Sequence, residues 1–231
     1  MKQWLRFLPV ILIACGMLIL YLSGVTHELT LRHLAQEAQK LKTLLLQYPV
    51  LTHFAYLGMY ILSVFLVVPD STILSLIGGF LFPLPLALLY IVLSETVGAF
   101  LFFLSTRIAF AQWLAKKNIP KLLEIKKNLL KNQTYYLLFA RFSHIIPFWL
   151  INLAAGICNV RIWTFLWTAV LGIFPLAFVL AEAGGSLSHI FTMHEQITLA
   201  HILTPKVNLA LFALALLALV PLLIKWLRKK S

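Results

Sequence analysis

Long apolar runs separated by short polar or basic segments give this chain its outline, and two of the runs are interrupted alike. Residues 50–68 are largely apolar up to Pro69-Asp70, and the run that resumes at Ser71 passes Gly78 and Gly79 before Pro83-Leu84-Pro85. Residues 134–157 are largely apolar around Arg141 and Pro147, with Asn152 and Gly156 following. Pro69 stands nine residues before Gly78, and Pro147 nine before Gly156. A proline removes a backbone donor and disfavours helix in the residue before it, so each run predicts two helical arms joined at a break. An unbroken run of span length follows each hairpin, 86–106 and 161–181, which makes two copies of a hairpin-plus-span unit. Broken helices in corresponding positions of two halves point to a transport site near the bilayer midplane. Two proline-kinked helices without any site are the simpler alternative.

Charge decides how the hairpins should sit. Were residues 50–68 a full crossing, the stretch 107–131, with Arg107 and six lysines against Glu124, would emerge outside. Short basic segments stay on the cytoplasmic side, so both hairpins are expected to be re-entrant and entered from opposite faces. The expected fold class is an all-α polytopic membrane protein: an inverted repeat of two re-entrant helical hairpins, each followed by a transmembrane helix, plus N- and C-terminal spans. Residues 1–25 form an N-terminal anchor whose Lys2 and Arg6 stay in the cytoplasm, and residues 26–48 an amphipathic extracytoplasmic helix. Residues 49–190 form the core, and 191–231 an outer loop, a last span over 206–224 and a basic cytoplasmic tail. In the amphipathic segment, Leu29, Leu34, Leu41, Leu44 and Leu45 recur among Arg32, Glu37, Lys40 and Lys42. That spacing suits a membrane surface and an arm packed on the chain's own core equally. Gly184-Gly185-Ser186 is expected to end the second span, with residues 188–205 as the outer loop.

Composition removes the soluble class. The 231 residues are 61% hydrophobic and 11% charged, with mean hydropathy +0.95. A soluble domain carries about 45–50% apolar and about a quarter charged residues. The net charge of +12 sits in clusters beside apolar runs, which suits anionic lipid headgroups and requires no nucleic acid. Cys15 and Cys158 are too far apart to suggest a disulfide framework or a metal site. Leu12-Ile13-Ala14-Cys15 has the look of a lipoprotein box, but its apolar run continues to Leu22, as in a retained signal anchor.

Three ionisable side chains fall near mid-membrane on this reading: Asp70 at the first break, Glu95 in the span after it, and Arg141 ahead of the second break. Charges at that depth are costly and mark binding or translocation sites, here with Asn152 beside Arg141 in the sequence run. A buried ion pair that only staples the hairpins is the structural alternative. Arg107 and Glu182 are weaker candidates because each stands near a helix end and can reach the interface. His144, three residues after Arg141, suits either a relay or a structural hydrogen bond. His194-Glu195-Gln196-Ile197 opens like a zinc-protease motif, but Thr198 stands where the second histidine belongs, and no nucleophile elbow or phosphate loop occurs. No enzyme, metal or cofactor is expected.

Pro69 with the following LSLIGGFLF, then Glu95-x-x-Gly98 leading to Arg107, then ARFSHIIPFWLINLAAGICNVRIWTF, resemble the VTT domain of the DedA superfamily, also called the SNARE-associated Golgi protein family. The resemblance covers about residues 50–190, and its second half is the more specific. It implies two opposed re-entrant hairpins and lipid translocation: scramblase activity as in eukaryotic relatives, or recycling of undecaprenyl phosphate or related carriers as in bacterial ones. It also implies roles for Asp70 and Glu95 as the acidic residues and for Arg141 as the first arginine, with Pro69, Gly78, Gly79, Pro147 and Gly156 as breaks and hinges. The bacterial pattern carries a second arginine shortly after the first, where this chain has His144-Ile145-Ile146-Pro147. That departure suggests a divergent branch and weakens the case for polyprenyl-phosphate specificity and proton coupling. The expected partners are membrane lipids, above all anionic phospholipid or lipid phosphate, with a homo-oligomer compatible. The expected location is a bacterial inner (plasma) membrane with both termini cytoplasmic. A non-transporting scaffold or assembly factor is the alternative function.

Overall fold

The computed structural model describes residues 31–68, 71–116, 130–143 and 146–193, together with Ile13 and Cys15. Pro69, Asp70, His144, most of the first span, the last span, most of the basic stretch and the zinc-motif fragment lie outside the described residues. Every element among the described residues is a helix: α1 Leu31–Gln47, α2 Pro49–Phe65, α3 Ser71–Leu81, α4 Leu84–Lys116, α5 Gln133–Ser143, α6 Phe148–Ile157 and α7 Ile162–Met193.

Prolines open two of these helices. Pro49 opens α2, where its missing N–H would have had no helical partner. Pro147 is the N-cap of α6, with extended φ −54° and ψ 138°. The ends of α2 and α6 are closed by one device. Val68 N–H bonds Ser63 O and Val67 N–H bonds Val64 O after α2, while Val160 N–H bonds Ala155 O and Asn159 N–H bonds Gly156 O after α6. Both closures need a left-handed residue, Val67 at φ 58° and Asn159 at φ 62°. Asparagine adopts that conformation readily, whereas a β-branched valine is strained in it.

The chain repeats one order, arm, short helix, long helix, as α2–α3–α4 and α5–α6–α7. Short helices pack across the repeat, α3 against α7 and α6 against α4, while α2 packs on α4, α5 on α7, and the long helices on each other. Glycines let these backbones approach. A Cβ on Gly79 would stand 2.7 Å from Ala181 Cα, and one on Gly156 2.7 Å from the Phe103 carbonyl oxygen. Small residues at such contacts are the usual means of joining helices whose surroundings are as apolar as their own side chains. Gly78, Gly79 and Gly156 therefore act inside α3 and α6 as contact points and do not interrupt them. The core includes Tyr60, Leu74, Ile91, Phe103 and Phe165, all buried.

Two expectations are corrected. Gly184-Gly185-Ser186 does not end the second span: α7 continues to Met193, and Gly184 is where α7 lies against α3, because a Cβ there would meet the Leu76 backbone. The first long helix likewise runs past Thr106 to Lys116. Of the two readings of the amphipathic segment, α1 packs on α2 and α3, with Leu41 and Leu45 against the core and the Lys42 ammonium 5.0 Å from the Phe80 ring centre.

Candidate functional site

A cavity of about 760 Å³ opens where the end of α2 and the start of α3 meet the break between α5 and α6. Its wall is mainly apolar, with Val67, Phe102, Ile151, Ile173 and Leu176 among the lining residues, and Ile13 of the first apolar run also reaches it. Glu95 from α4, Arg141 from α5 and Asn152 from α6 all face it, so three expected site residues are brought together.

Glu95 is held by a residue that the sequence did not single out. The Tyr60 hydroxyl donates to Glu95 Oε1 at 2.6 Å, and the Tyr60 oxygen itself lies 2.6 Å from Ser75 Oγ and 3.1 Å from Ser71 O. A phenol has one proton to give. When Glu95 takes it, the Ser75 hydroxyl can donate to Tyr60 in turn, so α2, α3 and α4 are joined through one buried oxygen. Tyr56, one turn earlier on the same face, donates to Leu74 O at 3.0 Å. The signal in the sequence was this i, i+4 pair of tyrosines in an otherwise apolar arm, but which group they reach depends on the packing of three helices.

Arg141 is buried to 4% exposure, and its guanidinium is enclosed by rings. It lies 5.4 Å from the centre of Phe148 and 5.1 Å from that of Phe165, a geometry in which the ring faces attract the cation. Nη2 donates to Asn152 Oδ1 at 3.4 Å, while Nε and Nη1 have no hydrogen-bond partner among the described residues. Room for the side chain comes from Gly172 on α7, where a Cβ would stand 2.6 Å from Arg141 Cδ. Arg141 and Glu95 face one cavity without forming an ion pair, each engaged instead by a neutral partner.

The weaker candidates stand elsewhere. Arg107 lies inside α4, donates to Val160 O at 3.3 Å and rests over the Phe103 ring, so it closes the end of α6 rather than lining the cavity. Glu182 lines a separate cavity of about 280 Å³ with Gly79 and Phe82.

Residues 68–186, about half of the chain, match the VTT domain. The chain belongs to the VTT domain family. Transmembrane protein 41B of Mus musculus is 29% identical over 171 residues, 72% of this chain and 56% of its own length. The same protein of Homo sapiens is 30% identical over 148 residues, 62% of this chain and 50% of its own. In Danio rerio the figures are 25% over 207 residues, 83% and 73%. The chain thus spans about half the length of the mouse and human relatives. No solved structure matches it. The VTT domain holds Glu95, Arg141, Asn152 and Gly172, whereas Tyr56 and Tyr60 precede the matched stretch. Its two long helices carry apolar stretches of 27 and 26 residues, Leu84–Phe110 and Ile162–Leu187, enough to cross a hydrocarbon core of about 30 Å. This VTT domain protein is an integral membrane protein. Its named relatives are animal proteins, which lends nothing to the expected bacterial location.

Proposed function

We propose that this protein moves a phospholipid or lipid-phosphate headgroup across the bilayer through the cavity between two opposed re-entrant hairpins. Arg141 meets the phosphate, Asn152 orients the guanidinium, and Glu95 and Asp70 set the charge of the cavity. The observation that carries this reading is Arg141 itself: a buried guanidinium facing an apolar cavity with Nε and Nη1 unpartnered. Nε and Nη1 lie on different edges of the guanidinium, so each offers a donor to a phosphate oxygen, and leaving both without a partner at membrane depth is costly unless a ligand completes them. Support for the inverted repeat comes from the exchange of short helices between the two long ones, the pattern that two units of opposite orientation would produce. The absent second arginine, at Ile145 and Ile146, argues for a branch with a headgroup preference of its own. Both termini and residues 107–131 lie in the cytoplasm on this reading, in the inner membrane of a bacterium.

Headgroup translocation by the purified protein in liposomes, across several lipids, tests the proposal. Arg141→Lys keeps the charge but loses the two-pronged bond, so it should fold and move lipid poorly. Arg141→Ala combined with Glu95→Gln or Asp70→Asn removes charge from both sides and should express without moving lipid. Full recovery of lipid movement in either double variant would sink the ligand role, and no translocation by a folded wild type would favour a non-transporting scaffold.

A further inference from the structure

A second cavity, of about 600 Å³, runs along α5 with none of the central cavity's lining residues, from the turn before the helix to Phe142 and across to the start of α7. Its two ends differ. Lys131 and Arg161 stand at one, both exposed, and Leu138, Phe139 and Phe142 form the wall toward the other. Gln133 fixes the polar end: its Oε1 accepts the Arg161 backbone N–H at 3.0 Å and its Nε2 donates to Leu130 O at 3.2 Å. That cross-link ties the turn before α5 to the start of α7 and so keeps both cations at one mouth.

We infer that this groove binds one anionic phospholipid, its phosphate between Lys131 and Arg161 and an acyl chain along Leu138, Phe139 and Phe142. Charge selects the anion, because no acidic residue is among the described residues lining the groove. The apolar wall selects a lipid over free phosphate. Length agrees too: from Gln133 to Phe142 α5 rises about 13 Å, close to the about 15 Å of one leaflet's hydrocarbon. The site is distinct from the central cavity, whose lining it does not share, and it is occupied whether or not the protein translocates lipid.

Full-length protein in nanodiscs, with phosphatidylglycerol or phosphatidylcholine carrying a photoreactive group in the acyl chain, tests this directly. Expected are cross-links at Leu138, Phe139 or Phe142 with phosphatidylglycerol preferred. Lys131→Gln with Arg161→Gln should weaken that preference about fivefold per cation, the scale of one basic residue at an anionic surface. Both side chains are exposed, and the Gln133 bond to the Arg161 backbone survives the change. A control pair in the tail, Lys229→Gln with Lys230→Gln, removes the same charge and should leave the cross-links unchanged. Equal loss in the control, competition by inorganic phosphate, or cross-links that avoid α5, as would follow if residues 117–129 fill the groove, would each overturn the inference.

Discussion

Replacing Arg141 with methionine separates a ligand from a staple, because methionine keeps an apolar stem out to the position of Nε and removes the charge and donors beyond it. The guanidinium gains from two ring faces, about 1–2 kcal/mol each when desolvated, and from one long bond to Asn152, about 1 kcal/mol. Against that stand Nε and Nη1, buried without partners among the described residues, each costing about 1–3 kcal/mol. The two sides offset to within about 3 kcal/mol, and methionine, flexible and apolar, fills the space that the arginine stem occupies beside Gly172. Arg141→Met should therefore change unfolding free energy by less than about 3 kcal/mol, with a shift of no more than about 10 °C in the thermal midpoint in detergent. Lipid movement in liposomes should fall at least about tenfold, a loss of about 1.4 kcal/mol in transition-state terms. Wild-type translocation by the methionine variant would refute the phosphate role. A variant that fails to fold while Arg141→Lys folds would show that the ring and Asn152 contacts outweigh the two orphan donors, and the free energies above would be wrong in sign.

Other changes read single contacts. Tyr60→Phe keeps the packed ring but strips Glu95 and Ser75 of their shared hydroxyl, so it should cost about 1–3 kcal/mol in thermal unfolding and alter lipid movement; no change in either would remove Tyr60 from the site. Gly156→Ala should destabilise by about 1–3 kcal/mol by pushing α6 off the Phe103 carbonyl, whereas Gly58→Ala, with nothing among the described residues within 4 Å of the added carbon, should be neutral or stabilising. Val67→Gly relieves a left-handed valine and should raise stability by about 1 kcal/mol, measured by denaturant or heat; a loss would mean that the valine side chain at the cavity wall outweighs its strain.

What could be read from the sequence divides by the range over which each residue acts. Proline acts on its own backbone, so Pro49 and Pro147 placed the starts of α2 and α6 in advance, and the apolar runs gave both long helices. Glycine is ambiguous at the same level. Gly184 and Gly185 resemble a helix stop, and only the approach of α3 makes them helix interior. The charges Glu95 and Arg141 stood out because charge is rare at such depth, and both reach the cavity. Their partners did not stand out: Tyr60, Phe148, Phe165 and Gly172 are ordinary residues of apolar runs, and only the register between helices assigns them to the site. Asp70, by contrast, was as legible as Glu95 and lies outside the described residues.

The exchange of short helices also bears on synthesis. The face of α3 that carries Gly79 finds its partner at Ala181, about 100 residues later in the chain. At about 5–20 residues per second, α3 waits roughly 5–20 s for α7 to emerge. During that interval the first unit presents a small-residue face with no partner in its own half, and any α7 nearby can occupy it. If that α7 belongs to a neighbouring copy, the result is a swapped dimer built from the same contacts as the monomer. Slow ribosomal passage through residues 117–160 would therefore raise the yield of swapped dimers, and chains released before residue 162 should be cleared by membrane proteases, since neither half can close its own core.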